Sequence, residues 1–260
     1  MHADATEDTQ SRTEPQDMDI VEMPMEGIAA FWLSLKKIIG NKFTAKVLSE
    51  EAERTSEPFM RHLLEIGPAA FPDDMFLRLA RAKRDSVARE LERKFALMRV
   101  ALLDIAVSEN PRKTLARMTA WFPGVAVSEA KVTKLAMEMV RTAENGGAEA
   151  EYAVSVSHRL NADQIMVKLM FYCLWSRRES KEALLAFAEL SGCRYFTEAL
   201  GLVADGFDAP FIRGRMETQA RGLLDMVRQK MDMAADMVLA MRNKLPYEEI
   251  YAVAKSYLPS

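Results

Sequence analysis

From Gly27 onward, apolar side chains recur about once per helical turn, the signature of stacked amphipathic helices. The spacing places Ile28, Phe31, Trp32, Leu35 and Ile39 on one face of a first helix. Phe43, Val47 and Leu48 share a face of a second, over Lys42 to Arg54. Pro58 suits the first turn of a third, and Gly67-Pro68 stops it. Asp73 then caps a long helix in which Phe76, Ala80, Val87, Leu91, Phe95, Met98, Leu102 and Ile105 keep a steady rhythm. Such a rod reaches roughly 50 Å at the usual rise per residue. Asn110-Pro111 ends it and begins the next, which carries Leu115, Met118, Trp121 and Phe122 as far as Pro123-Gly124. Ser128 opens another, up to Asn145-Gly146-Gly147.

Tyr152 to His158 alternates large and small residues in the period of a strand. No other segment alternates in the same way, so a strand here has no ladder to join, and the stretch is read as helix. Asn161 to Gln164 matches a capping box. In the helix that follows, Ile165 to Trp175 carries only one charge, Lys168, and a helix apolar all round belongs at the centre of a core. Ser180 opens a short helix closed by Gly192, and Tyr195 to Ala204 forms another. The last long helix runs from about Phe211 to Asn243. Ala220, Val227, Ala234 and Met241 lie seven apart on it, as do Leu224, Met231 and Val238, a stripe wider than a coiled-coil seam. Pro246 starts a final helix ending near Leu258. No repeat of fixed period occurs. The expected fold class is all-α, with about ten helices in an irregular bundle or a short α-solenoid-like stack. Residues 28–258 are read as one helical domain, with two packed halves divided near 145–148 as the alternative organisation.

Composition changes this picture only at the amino terminus. Residues 1–27 carry eight acids against Arg12, a balance of −7 within a chain of net charge −3, which leaves the remainder near +4. With so little apolar surface to bury, residues 1–27 are expected to form a disordered acidic tail. The beginning of the chain has no basic and apolar signal pattern, and no apolar run approaches transmembrane length. The expectation is a cytoplasmic protein without a transmembrane span, with Cys173 and Cys193 reduced and buried.

Candidate chemistry is sparse. No Glu-x-x-His, His-x-x-x-His or Cys-x-x-Cys spacing occurs, and no phosphate-cradling glycine loop or Gly-x-Ser-x-Gly elbow. No catalytic, metal or cofactor residue is assigned, and His62 and His158 read as structural histidines. Asp73-Asp74 and Glu248-Glu249 sit where a helix amino terminus favours negative charge, and Glu50-Glu51 lie on a polar face.

Two surfaces remain as candidates. Residues 78–117 carry eleven basic side chains against five acids, and Arg78, Arg81, Arg84, Arg89 and Arg93 form a candidate polyanion surface. The competing reading is a solvated face with i,i+4 pairs such as Asp85–Arg89 and Glu90–Lys94. Methionine is abundant, with 18 residues, and Met216, Met226, Met231, Met233, Met237 and Met241 crowd one helix. Thioethers repack easily, so Met226, Met233 and Ala240 form a candidate partner surface, against the competing reading of simple core filling.

Ala234 to Ser256, and Leu245-Pro-Tyr-Glu-Glu-Ile250 above all, resembles the helical tail of the transposase-like PD-(D/E)xK nuclease families. The resemblance covers under a tenth of the chain. The strand-borne Asp and Glu-x-Lys/Gln core of those enzymes has no counterpart upstream, so no activity or residue is carried over. The function that fits these features best is a non-catalytic adaptor, chaperone-like or regulatory protein that binds another macromolecule, most readily a protein or a second copy of itself, through helical surfaces. A nucleic-acid-associated regulator using the face over 78–117 is the second reading, and an enzyme with a site assembled from scattered residues is the third.

Overall fold

A computed structural model describes residues 18–40, 42–122, 128–145 and 154–258. The fold is all-α. Among the described residues there are ten α-helices, one 3-10 segment and no strand. The helices are α1 (Met25–Ile39), α2 (Ala45–Arg54), α3 (Pro58–Ile66), α4 (Asp73–Ala106), α5 (Pro111–Thr119), α6 (Glu129–Asn145), α7 (Ala162–Arg178), α8 (Arg194–Ala204), α9 (Ala209–Arg242) and α10 (Tyr247–Tyr257). The 3-10 segment, η1, spans Glu182–Phe187, where the sequence read a longer α-helix.

The starts of these helices follow from local chemistry. Glu57 caps α3 by accepting a hydrogen bond from Met60 N at 2.6 Å, with Pro58 at the first helical position. Asn110 does the same for α5 through Arg112 N at 2.9 Å, ahead of Pro111. Asn161 and Gln164 form the full capping box of α7. The ends use left-handed residues: Gly40 closes α1 at φ +54°, while Ser108 and Lys244 follow α4 and α9 at φ +53° and +57° without being glycine.

The chain forms two compact units. Unit 1 contains the described residues up to Val87 together with those from Met226 onward, and unit 2 spans Ala88–Asp225. The divisions therefore fall inside α4 and α9, whereas the sequence suggested one domain over 28–258, with two halves divided near 145–148, partly beyond the described residues, as the alternative. Each 34-residue helix gives one half to each unit. No glycine or proline marks either point.

In unit 1, α2 packs on α3 and α1 on α10. Trp32, Phe59, Phe76, Val227, Met231 and Met237 are among its fully buried side chains. The expected disordered tail needs a correction at its carboxyl end. Residues 1–17 lie outside the described residues, but Met18, Ile20 and Val21 are buried. The physical reason is Lys230. Its Nζ is buried and donates to the carbonyl oxygens of Ile20 and Val21 at 2.9 and 3.2 Å. Asp19 folds the same segment into a turn, accepting from Val21 N at 3.0 Å. Three apolar residues in an acidic stretch carry little periodic signal, yet they suffice once a cation satisfies the backbone between them.

Arg242 performs a similar task for the α3–α4 connection. Its guanidinium donates to the carbonyls of Gly67, of Ala69 at 3.0 Å and of Phe71 at 2.6 Å, and lies over the Phe76 ring at 4.9 Å. Arg84 binds Asp232 at 2.6 Å and Tyr257 donates to Asp236 at 2.6 Å, so the same half of α9 also holds α4 and α10.

Unit 2 is built around α7. Ile165, Met166 and every residue from Leu169 to Cys173 are buried, consistent with the central role read from the sequence. Phe171, Trp175 and Phe187 form a ring cluster with centroids 5.2–5.6 Å apart, and Tyr172 meets Phe196 edge-on at 5.0 Å. The Tyr172 hydroxyl donates to the Val154 carbonyl at 3.2 Å. Of the segment Tyr152 to His158, the first two residues lie outside the described set. Val154 is helical, but Ser155 to Ser157 are neither helix nor strand and His158 enters a turn, which corrects the helix reading. Val156 N bonds to the Ser191 hydroxyl at 3.3 Å instead of a helical carbonyl.

Arg242→Ala should lower unfolding free energy by about 2–4 kcal/mol, because several carbonyls lose a charged donor at once. Arg242→Lys should recover less than half of that, since a point ammonium cannot span the same fork. Urea unfolding checks both, and a loss below about 1 kcal/mol for the alanine variant would show that water replaces the guanidinium.

Candidate protein-binding groove

An open groove of about 720 Å³ runs over α7 between α5 and α6. Both flanking helices pack on α7 but make no substantial contact with each other, and α7 is left partly open between them at Leu174. Met170 and Leu174, one turn apart, form its floor. Pro111, Arg112 and Leu115 of α5 form one wall. Glu129, Ala130, Thr133, Lys134, Met137, Glu138 and Arg141 of α6 form the other.

The walls are held apart by charge at the end of α7. Arg177 donates to the carbonyls of Ser108 and Glu109 at 3.1 and 3.2 Å, and Lys181 to that of Ala106 at 2.6 Å, which cap the carboxyl end of α4 where α5 departs. Arg117 of α5 closes the same corner on Asp104 at 2.6 Å and Glu109 at 3.3 Å. Arg178 pairs with Glu144 and pins the far end of α6. Consecutive arginines thus fix opposite walls.

α6 carries two apolar stripes. Val132, Ala136 and Val140 are buried, the face that seats the helix. Ala130, Thr133 and Met137 form a second stripe that lines the groove, with Met137 50% exposed. Arg112 and Arg141 are exposed on opposite walls and have no carboxylate partner among the described residues. The Lys134–Glu138 pair is loose, at 3.9 Å with both side chains in solvent.

The residues singled out from the sequence fall differently. Met233 and Ala240 are buried, as are Met216, Met231, Met237 and Met241, so this stripe fills core and cannot present a surface. Met226 alone of the set is exposed, at 45%. A seven-residue period identifies the face of a helix but not what covers it, and here that face meets the protein's own helices.

The basic set is divided between the units: Arg78, Arg81 and Arg84 in unit 1, Arg89 and Arg93 in unit 2. Arg78 pairs with Asp74 at 3.3 Å, and Arg84 is shared by Asp85 and Asp232. Arg93 lies over the Phe122 ring at 5.9 Å. Lys94 is buried against Glu90 at 2.8 Å, the i,i+4 pair expected, while Asp85 engages Arg84 in place of Arg89. Arg81 and Arg89 remain exposed. The groove residues Met137, Leu174 and Arg141 were not singled out. The second stripe on α6 was the signal for Met137 and Arg141, and the apolar run of α7 for Leu174.

Other reactive groups are sealed. Burial pushes the Cys173 thiol up to about 12 and the Tyr172 phenol likewise to about 12, so neither ionises near neutrality. His62 has a buried Nε2 without a hydrogen-bond partner, and burial, helped by Lys83, holds its pKa below the usual 6.5. Among the described residues no group of three or more His, Cys, Asp or Glu could hold a metal ion, and no helix is long and apolar enough to cross a membrane.

Comparison of the chain with protein-family models, with curated proteins and with solved structures returned no match. Leu245 to Ile250, which carried the nuclease-tail resemblance, spans the end of the connection between α9 and α10 and the first residues of α10. Lys244 there is left-handed, Pro246 precedes α10, and Glu248 and Glu249 occupy its first turn. Ordinary capping chemistry accounts for that sequence.

The His62 shift carries a pH consequence. The unfolded chain binds the proton first as pH falls, so the stability contributed by the neutral imidazole is present above 6.5 and is lost as pH drops through that value toward the lower folded one. Urea midpoints at pH 7.5 and 5.5 should fall less in His62→Gln than in the parent protein. An equal fall in both would place the proton uptake elsewhere.

Proposed function

We propose that this protein is a non-catalytic adaptor that binds another protein through the groove between α5 and α6. One observation carries the reading: a helix that is apolar around most of its circumference, α7, leaves Leu174 half-covered at the floor of an open groove, beneath an exposed Met137. Apolar surface left in water, here Met137 and part of Leu174, costs free energy, and burying it against a partner recovers roughly 25 cal/mol per Å² before the costs of association. A thioether on the rim tolerates imperfect fit, which suits adaptable recognition. The polar walls keep the groove wet when empty and leave a rim around an apolar centre, the usual anatomy of a non-obligate interface.

The nucleic-acid reading finds less support, because several of the basic side chains over 78–117 are engaged by Asp or Glu of the same chain.

Affinity purification of the full chain under native conditions tests the proposal. One protein should be recovered stoichiometrically with the parent chain and lost by at least tenfold with Met137→Asp, while Met226→Asp retains it. Both substitutions are on exposed side chains and should change stability by under about 0.5 kcal/mol, checked by thermal unfolding. Equal recovery with Met137→Asp would remove the groove from the account.

A further inference from the structure

We propose that the groove over α7 receives an amphipathic α-helix from the partner, with an apolar stripe bordered on both sides by carboxylates. This rests on the adaptor reading and specifies its partner. Shape is the first argument. On α6 the groove is lined at Ala130, Thr133, Met137 and Arg141, steps of three and four residues along one ridge. That ridge is about 16 Å long, or three helical turns. A second helix presents a ridge of the same pitch, and small side chains at Ala130 and Thr133 let the two axes approach to the roughly 8–10 Å of helix packing. The floor supplies the half-covered Leu174, one turn after the buried Met170. α5 and α6 both rest on α7 without substantial contact with each other, so the opening between them is one element wide.

Charge is the second argument. Arg112 stands on the α5 wall and Arg141 on the α6 wall, both exposed and neither paired with a carboxylate among the described residues. The other guanidinium groups of this corner, Arg117, Arg177 and Arg178, are committed to Asp104, to the carbonyls of Ser108 and Glu109, and to Glu144. The α6 wall also carries Glu129, Lys134 and Glu138, of which Lys134 and Glu138 pair with each other, so the exposed Arg112 and Arg141 outnumber the one remaining carboxylate and complement an apolar stripe edged by Glu or Asp. The same stripe edged by Lys or Arg would meet like charge on both sides. A single-stranded nucleic acid would use the cations and leave the Met137 and Leu174 floor without a purpose.

Two labelled helical peptides with one shared Leu and Met stripe test this, one edged by Glu and the other by Lys, titrated with the full chain by fluorescence anisotropy. The Glu-edged peptide should bind at least about tenfold more tightly at low salt, with the difference shrinking as salt rises. Arg112→Glu combined with Arg141→Glu should invert the preference, Arg141→Gln alone should reduce it, and Met137→Asp should abolish binding of both peptides. Equal affinity for the two peptides, or a preference unchanged by charge reversal, overturns the proposal. So does displacement of the Glu-edged peptide by a single-stranded oligonucleotide, or a concentration-dependent dimer that Met137→Asp dissolves. If the purified partner is lost with Met137→Asp while the Glu-edged peptide fails to bind, the groove stands and the acidic-helix assignment falls. If neither depends on Met137, both fall.

Discussion

Backbone carbonyls at helix ends and turns must find donors, and in this chain the donors are basic side chains. Lys230 serves Ile20 and Val21, Arg61 serves Thr55, and Arg242 serves the turn from Gly67 to Phe71. Arg177 and Lys181 serve the end of α4. A hydrogen bond from a charged donor contributes roughly 1.5–3 kcal/mol net, against about half that for a neutral one. Arg61 acts on the connection just before its own helix, and the others tie a segment to a part of the chain distant in sequence. With ten α-helices and no sheet ladder among the described residues, such ties decide where the connections lie.

The groove follows from this constraint. In unit 2 the cations at the end of α7 are drawn to two different places, Arg177 and Lys181 toward the α4–α5 corner and Arg178 toward Glu144 on α6. Both walls are thereby set by polar contacts at their ends, while the apolar contacts of α6 are made by the separate stripe Val132, Ala136 and Val140. Closing the groove would require one of those anchors to break. The most apolar helix of the chain is for this reason covered on most sides and open on one.

The helices were legible in the sequence because periodicity reports a face directly. The α4 positions from Phe76 to Ile105 and the α9 positions from Ala220 to Met241 are buried with the exception of Val87, which is half-buried. The capping box of α7 and the Asn-Pro start of α5 were equally plain. Less legible was anything that depends on a carbonyl partner, since a carbonyl has no side-chain signature. Arg84 and Lys94 read as a basic face when their acids sit beside them. The Met stripe of α9 read as core or surface equally well, because a pattern does not say whether its cover is intramolecular. Met18 to Val21 read as tail, since their burial depends on a lysine more than two hundred residues away. Of the groove, only the apolar character of α7 was visible in advance.

An open groove in solution is the claim on which the functional account stands, and thiol accessibility tests it most directly. Cys173 and Cys193 are buried, so the native chain offers no background. With Met137→Cys, one thiol per chain should react with a thiol reagent under native conditions at the rate of an unstructured peptide. If the introduced thiol reacts as slowly as the two buried ones, the groove is closed in solution and the account is contradicted.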